Sequence, residues 1–192
     1  MPTVAAELVM HMVNPPAPPA CQGGHEMLSD HFHPLHLAVY RYLLHRVFDA
    51  DQADDLAAET FYRAVRAIGR FRGNLVQLRA WLLRTAANLA SSHCRRQRLW
   101  RLIFRRVASR PAVEAAFPAG DDSQALKAQQ VRAALQDLAP RHQNVIVLRY
   151  FMEMSFEEIG DILRCRPDAV RVRLSRAVRA MRCRLGIEKE DT

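Results

Sequence analysis

Residues 155–181 read SFEEIGDILRCRPDAVRVRLSRAVRAM, and the order of residue types predicts two helices around a tight turn. Ser155 and Glu158 stand three apart ahead of an apolar run, the pattern of a capping box in which each side chain satisfies the other's backbone N–H. Ile159 and Leu163 share the buried face of this short helix. Arg164-Cys165-Arg166 makes the turn, and Pro167 opens the second helix, where a missing N–H is tolerated. At about 100° per residue, Val170, Leu174, Ala177, Val178 and Met181 fall in one apolar stripe. Asp168, Val172, Ser175 and Arg179 lie opposite, with Arg171 and Arg176 on the flanks. A helix-turn-helix of this build lays its second helix in the DNA major groove. The stripe anchors the helix while the polar arc meets base edges and phosphates. Taken alone, the segment also reads as a basic surface helix of a generic bundle.

The charge of the whole chain repeats this division. Its 192 residues carry a net charge of +8, with 49% hydrophobic and 25% charged residues, an ordinary composition for a folded chain. The bases are clustered: residues 95–112 hold seven Arg and no acid, and 164–184 hold eight Arg and one acid. Clustered Arg is the footprint expected of a protein that meets phosphate. No stretch approaches eighteen apolar residues, so stable membrane insertion is not expected. No Lys or Arg precedes Arg41, so a secretory signal is not expected either. Cys21, Cys94, Cys165 and Cys183 share no zinc-like spacing, which reads as a reduced, cytoplasmic protein.

On either side of this segment the chain divides into helical blocks. Residues 1–30 are proline- and glycine-containing without apolar period and read as a disordered arm. From Pro34, Leu35, Val39, Leu43 and Val47 recur every four residues, with Tyr42 on the same face. A second helix starts near Asp51, a suitable N-cap, and carries Leu56, Phe61, Ala64, Val65 and Ile68 to about Arg70. A third follows Gly73-Asn74 with Leu78, Trp81, Leu82 and Leu89 inward and a break expected near Asn88. Residues 107–124, with Pro111, Pro118 and Gly120, read as a flexible linker. Beyond it, Leu126, Val131, Leu135 and Leu138 mark another helix, and Pro140 opens one carrying Val145, Ile146, Leu148 and Tyr150. No alternating pattern of useful length occurs. The expected fold is all-α: two small helical domains, 31–106 and 125–188, on a flexible linker, with a 189–192 tail and the helix-turn-helix in the C-terminal one.

At this point a family resemblance becomes specific. The 155–181 segment resembles region 4 of the bacterial sigma-70 family of RNA polymerase sigma factors. Leu135-Gln136-Asp137-Leu138-Ala139-Pro140 and Val147-Leu148-Arg149-Tyr150-Phe151 are similar to that region's upstream motifs. Independently, Asp54-Asp55-Leu56-Ala57-Ala58-Glu59-Thr60-Phe61, Phe71-Arg72-Gly73 and Trp81-Leu82-Leu83-Arg84-Thr85-Ala86-Ala87-Asn88 resemble region 2. The order and spacing, with nothing substantial between the two regions, are those of the extracytoplasmic-function (ECF) group. Three positions depart from the pattern: Arg164 stands where Gly is usual in the turn, Ala58 where Gln is usual, and Val172 where a small Ser is usual. A positive φ at Arg164 would cost roughly 1 kcal/mol. Val172 suits a thymine methyl better than a phosphate.

The resemblance implies partners and sites. Core polymerase would meet Asp54, Asp55, Glu59 and Phe61; acids near a helix start are also favoured by the macrodipole alone. Arg84, Asn88, Ser92, His93, Arg95 and Arg96 would take the melted minus-10 strand, Asn88 offering both donor and acceptor to a flipped base. Arg166, Asp168, Arg171, Val172, Arg173, Ser175, Arg176 and Arg179 would read the minus-35 duplex. An anti-sigma factor is the implied regulator. The alternative function is a stand-alone helix-turn-helix regulator, which would not need the region 2 motif. A third reading treats 95–106, where Arg alternates with Leu99, Trp100, Leu102, Ile103 and Phe104, as a membrane-surface helix. His31, His33 and His36 lack a Cys or acid beside them, and no metal or cofactor is expected. Cys94 and Cys165 lie near bases, but a small buried cysteine explains each equally well. Nucleophile–base pairs, phosphate-cradling Gly loops and paired carboxylates are missing from the sequence, so no enzyme is expected.

Overall fold

The computed structural model describes residues 22–104 and 122–187, and side chains within 23–100 and 126–187. Among the described residues every element is helical: α1 (Gln22–Asp30), α2 (Phe32–Val47), α3 (Ala50–Ala67), a 3₁₀ turn (Ile68–Arg70), α4 (Leu75–Phe104), α5 (Asp122–Gln136), α6 (Pro140–Ile146), a π-helical turn (Val147–Phe151), α7 (Phe156–Leu163) and α8 (Pro167–Leu185). The expected all-α chain of two helical units is the observed one. Most of the linker and all of residues 1–21 and 188–192 lie outside the described residues.

Local chemistry accounts for the helix ends. Asp49 caps α3, its carboxylate accepting the Gln52 N–H at 3.0 Å, two residues ahead of the expected start. The capping box at α7 is complete: Ser155 Oγ accepts from the Glu158 N–H at 3.1 Å and the Glu158 carboxylate accepts from the Ser155 N–H at 2.8 Å. Pro140 and Pro167 occupy first turns of α6 and α8. Arg164 closes α7 in the left-handed region (φ 51°, ψ 52°). The turn after it runs so close to α7 that a Cβ at Gly160 would lie 2.7 Å from the Cys165 carbonyl oxygen.

Two expectations about the helices are corrected. Residues 22–30 are helical rather than part of the arm, because Leu28 is buried in the core and the chain passes close to the 3₁₀ turn, where a Cβ at Gly24 would meet Ile68 O at 2.9 Å. The third helix runs without a break through Asn88. Of the apolar residues that mark the first helix after the linker, Leu126 and Val131 are exposed, whereas Leu135 and Leu138 are fully buried.

The two units share one continuous core. Leu35, Val39, Leu43, Ala57, Leu78 and Leu82 of the first unit join Leu135, Val145, Leu148, Ile159 and Val170 of the second. α7 packs on α4, and the π-helical turn packs on α2, where the His45 and Phe151 rings lie 4.5 Å apart.

Candidate polymerase and nucleic-acid interfaces

The outer face of α3 carries the first set of site residues. Its inner face buries Ala53, Ala57, Thr60, Phe61 and Ala64, the i, i+3/i+4, i+7 pattern of a core-facing stripe. Asp54 and Asp55 are exposed on the opposite side, beside Ala58, Tyr62 and Val65. Glu59 is half-buried and pairs with Arg63 at 2.6 Å. Phe61 does not belong to this face: it is 8% exposed, with its ring 5.0 Å from Phe32 and 5.5 Å from His36. The same helical phase that exposes Asp54 and Asp55 turns Phe61 inward, so an apolar contact from this face would come from Tyr62, 58% exposed. The period of α3 in the sequence contains that signal.

A second surface runs along α4. Arg84, Asn88, Ser92 and Arg95 fall within about 80° of helical arc and Arg96 flanks them. Asn88, Ser92, Arg95 and Arg96 are exposed. His93 lies half a turn away, its Nε2 2.7 Å from Gln52 Oε1 on α3. Burial, helped by Arg96 and opposed by Asp49, holds its imidazole below the ordinary value. His93 therefore does not join the Asn88 surface. Arg84 is also committed elsewhere: its Nε donates to Ile162 O at 2.9 Å and its Nη2 to Asp161 O, both at the end of α7.

The third surface is α8. Val170 and Ala177 are buried and Leu174, Val178 and Met181 half-buried, while Asp168, Arg171, Val172, Ser175, Arg176 and Arg179 are exposed, as the period required. Arg173, on the side of the helix, is half-buried, and Arg166 is exposed at its N-cap. Arg171 is oriented before any ligand arrives: Nη1 donates to Asp168 Oδ1 at 3.1 Å and its guanidinium lies 5.1 Å from the Phe156 ring centre. His142 of α6 is a residue the sequence reading missed. Burial, then the charges of Arg141, Arg173, Arg176 and Arg184, lower its pKa, which puts it in the same positive field. Of these arginines only Arg141 is a sequence neighbour; Arg173, Arg176 and Arg184 come from α8, so the local sequence reveals only part of the field.

A complete helix-turn-helix with an arginine-bearing outer arc makes this a DNA-binding protein of the helix-turn-helix class. Comparison with known families refines that class. Residues 31–99 match sigma-70 region 2 and residues 128–181 match sigma-70 region 4. The chain is 32% identical over 148 residues to the RNA polymerase sigma factor CarQ of Myxococcus xanthus, covering 77% of this chain and 83% of CarQ. It is 31% identical over 151 residues to the ECF RNA polymerase sigma factor SigL of Mycobacterium tuberculosis, covering 78% of this chain and 84% of SigL. Its fold is shared by the sigma factor RpoE of Bartonella quintana, solved with the anti-sigma factor NepR, at a TM-score of 0.62 and 21% identity, over 85% of this chain and 99% of that one. The chain belongs to the sigma-70 family of RNA polymerase sigma factors, in the ECF group. Proteins of this family are transcription-initiation factors. Among the described residues, no helix is long and apolar enough to cross a membrane.

Proposed function

We propose that this chain docks on core RNA polymerase through the outer face of α3 and directs it to promoters through two DNA surfaces. Residues 31–106 serve as the core- and minus-10-binding unit, 125–188 as the minus-35-binding unit, and 107–124 as the connection. Asp54 and Asp55, with Glu59 at the margin, offer negative charge to a basic polymerase surface. Asn88, Ser92, Arg95 and Arg96, with Arg84 once released from α7, take the melted strand. The α8 arc from Asp168 to Arg179 reads the duplex. Bond making belongs to the polymerase, and the chain itself contributes recognition only. Its work is in the bacterial cytoplasm, under an anti-sigma protein of the type that Bartonella RpoE carries.

The observation that carries this reading is the exposed arc of α8, anchored by a buried stripe on a capped helix-turn-helix. The test is in vitro transcription from a genomic promoter library with purified core polymerase, with and without this protein. Promoter-specific transcripts that depend on the protein are expected. Tight specific duplex binding in the absence of polymerase, with no dependent transcripts, would instead make it a stand-alone regulator.

A further inference from the structure

Phe156, the first residue of α7, lies under two guanidinium groups. Arg149 stands 4.9 Å from its ring centre and Arg171 5.1 Å. The ring is half-buried and packs against the core. Its backbone follows directly on Ser155, which the capping box holds in place. Arg149 ties the preceding loop together: its Nη1 donates to the Met154 carbonyl oxygen at 2.7 Å while its guanidinium lies on the ring. Met154 is buried, and its N–H donates to Leu148 O at 3.1 Å. The π-helical turn, the loop and the start of α7 therefore form one braced unit, with the Phe156 ring at its edge.

Arg171 is a different kind of group. It is exposed on the outer arc of α8, and its ion pair with Asp168 is open to water on both sides, so the pair alone holds it weakly. A long side chain with so little restraint samples many rotamers. The Phe156 ring adds a cation–π contact, which draws the guanidinium to one place. Asp168 takes Nη1, and among the described residues Nε and Nη2 have no acceptor. The side-on edge that can make two parallel hydrogen bonds is left available.

Restraint of this kind matters more for discrimination than for affinity. A loose guanidinium turns to a neighbouring phosphate when its base is missing, which evens out the difference between sequences. A guanidinium already aimed at the groove finds its full pair only on a guanine O6/N7 edge, and its ordering is partly complete before binding. Phosphate contacts elsewhere on α8 gain nothing from it.

We propose that Phe156, braced by Arg149, is a specificity-determining positioning residue: its ring presets Arg171, so that guanine preference in the minus-35 duplex depends on two residues that do not touch the base. This rests on the promoter-reading role of α8 given above. The sequence carries the three residues 7 and 15 positions apart, and only the packing of α8 against the start of α7 brings them together.

The test measures holoenzyme affinity, with the full chain, on promoters in which each minus-35 position is varied through the four bases. Phe156→Leu keeps apolar bulk and removes the ring face, and is expected to lower the guanine preference about fivefold with the salt slope unchanged, since no phosphate contact is lost. Phe156→Tyr keeps the ring and should stay within about twofold of the unaltered protein. Arg149→Met leaves Phe156 in place and should lower the preference about twofold, which keeps the idea testable if Phe156→Leu unfolds. In an Arg171→Ala background, neither Phe156→Leu nor Arg149→Met should change base preference further, because both act through Arg171. A purely structural role would instead weaken all promoters alike in both backgrounds. Without polymerase, the Arg171 Nε–H resonance, identified by its loss in Arg171→Ala, should move in Phe156→Leu as the ring current disappears. A preference lost in Arg171→Ala but kept in Phe156→Leu and Arg149→Met, or lost equally in both backgrounds, would overturn the positioning role and leave the promoter reading standing. A preference that survives Arg171→Ala itself would remove the reading by α8 on which the proposal rests.

Discussion

Replacing Arg171 by Ala separates reading from positioning on α8. Arg171 sits near the start of the helix with its guanidinium between Asp168, at 3.1 Å, and the Phe156 ring, at 5.1 Å. The ion pair is exposed on both sides, 56% and 72%, so holding it contributes well under 1 kcal/mol and releasing it to reach a base costs equally little. A forked guanidinium bonded to the O6/N7 edge of guanine discriminates by roughly 1–3 kcal/mol, or about 5- to 150-fold at one position. Arg171→Ala should therefore lose that preference at one or two minus-35 positions while thermal stability changes by less than about 0.5 kcal/mol. Arg176, farther along and with a charge that reaches His142, should behave as a phosphate contact. Arg176→Ala should weaken every promoter about equally and lower the salt slope by about one unit. The assay is holoenzyme affinity across a randomised minus-35 element at several salt concentrations. A uniform loss from Arg171→Ala with a changed base preference from Arg176→Ala would reverse the two roles. No effect from either would mean that α8 does not read the promoter.

Other outcomes follow from individual side chains. Asp54→Lys with Asp55→Lys should weaken core binding more than tenfold by titration while leaving the circular dichroism spectrum unchanged, since both are exposed and a repulsive charge replaces an attractive one. Phe61→Ala should instead lower stability by about 3–5 kcal/mol in urea unfolding, because the ring is core rather than interface. Arg164→Gly should raise stability by about 1 kcal/mol in the same assay, since the left-handed backbone at φ 51° suits a residue without Cβ. His45, His93 and His142 all have lowered pKa values, each chiefly through burial. Their contribution to stability is complete above the unfolded value of about 6.5 and is lost as pH falls toward their folded values, so the urea midpoint should drop between pH 7.5 and 5.5; an unchanged midpoint would show that these rings gain no protection on folding.

The helices and the exposed arc of α8 are written locally. A Ser and a Glu three residues apart, a proline at a first turn and an apolar stripe repeating with the helix are settled by neighbours within one or two turns. That is why Ser155, Glu158, Pro167 and the α8 arc could be assigned from the chain alone. The same periodicity turns Phe61 and His93 away from the surfaces that motif position implies for them. Residues 22–30 are helical for a non-local reason. Their glycines argue against helix, and tertiary contacts of Met27, Leu28 and Gly24 stabilise one.

What tertiary structure alone decided is the seam between the units. Asn144 and Tyr42 are 102 residues apart in the chain, and Arg84 and Ile162 are 78 apart. No cap, period or charge pattern encodes such a pairing, because the acceptors on α7 are backbone carbonyls that every sequence possesses. The chain by itself specified two helical units and the surfaces proposed to meet DNA, since these depend on contacts between residues a few positions apart. Whether those surfaces are free or covered depends on how two finished units pack, a matter of shape and of buried charge seeking whatever oxygen lies opposite.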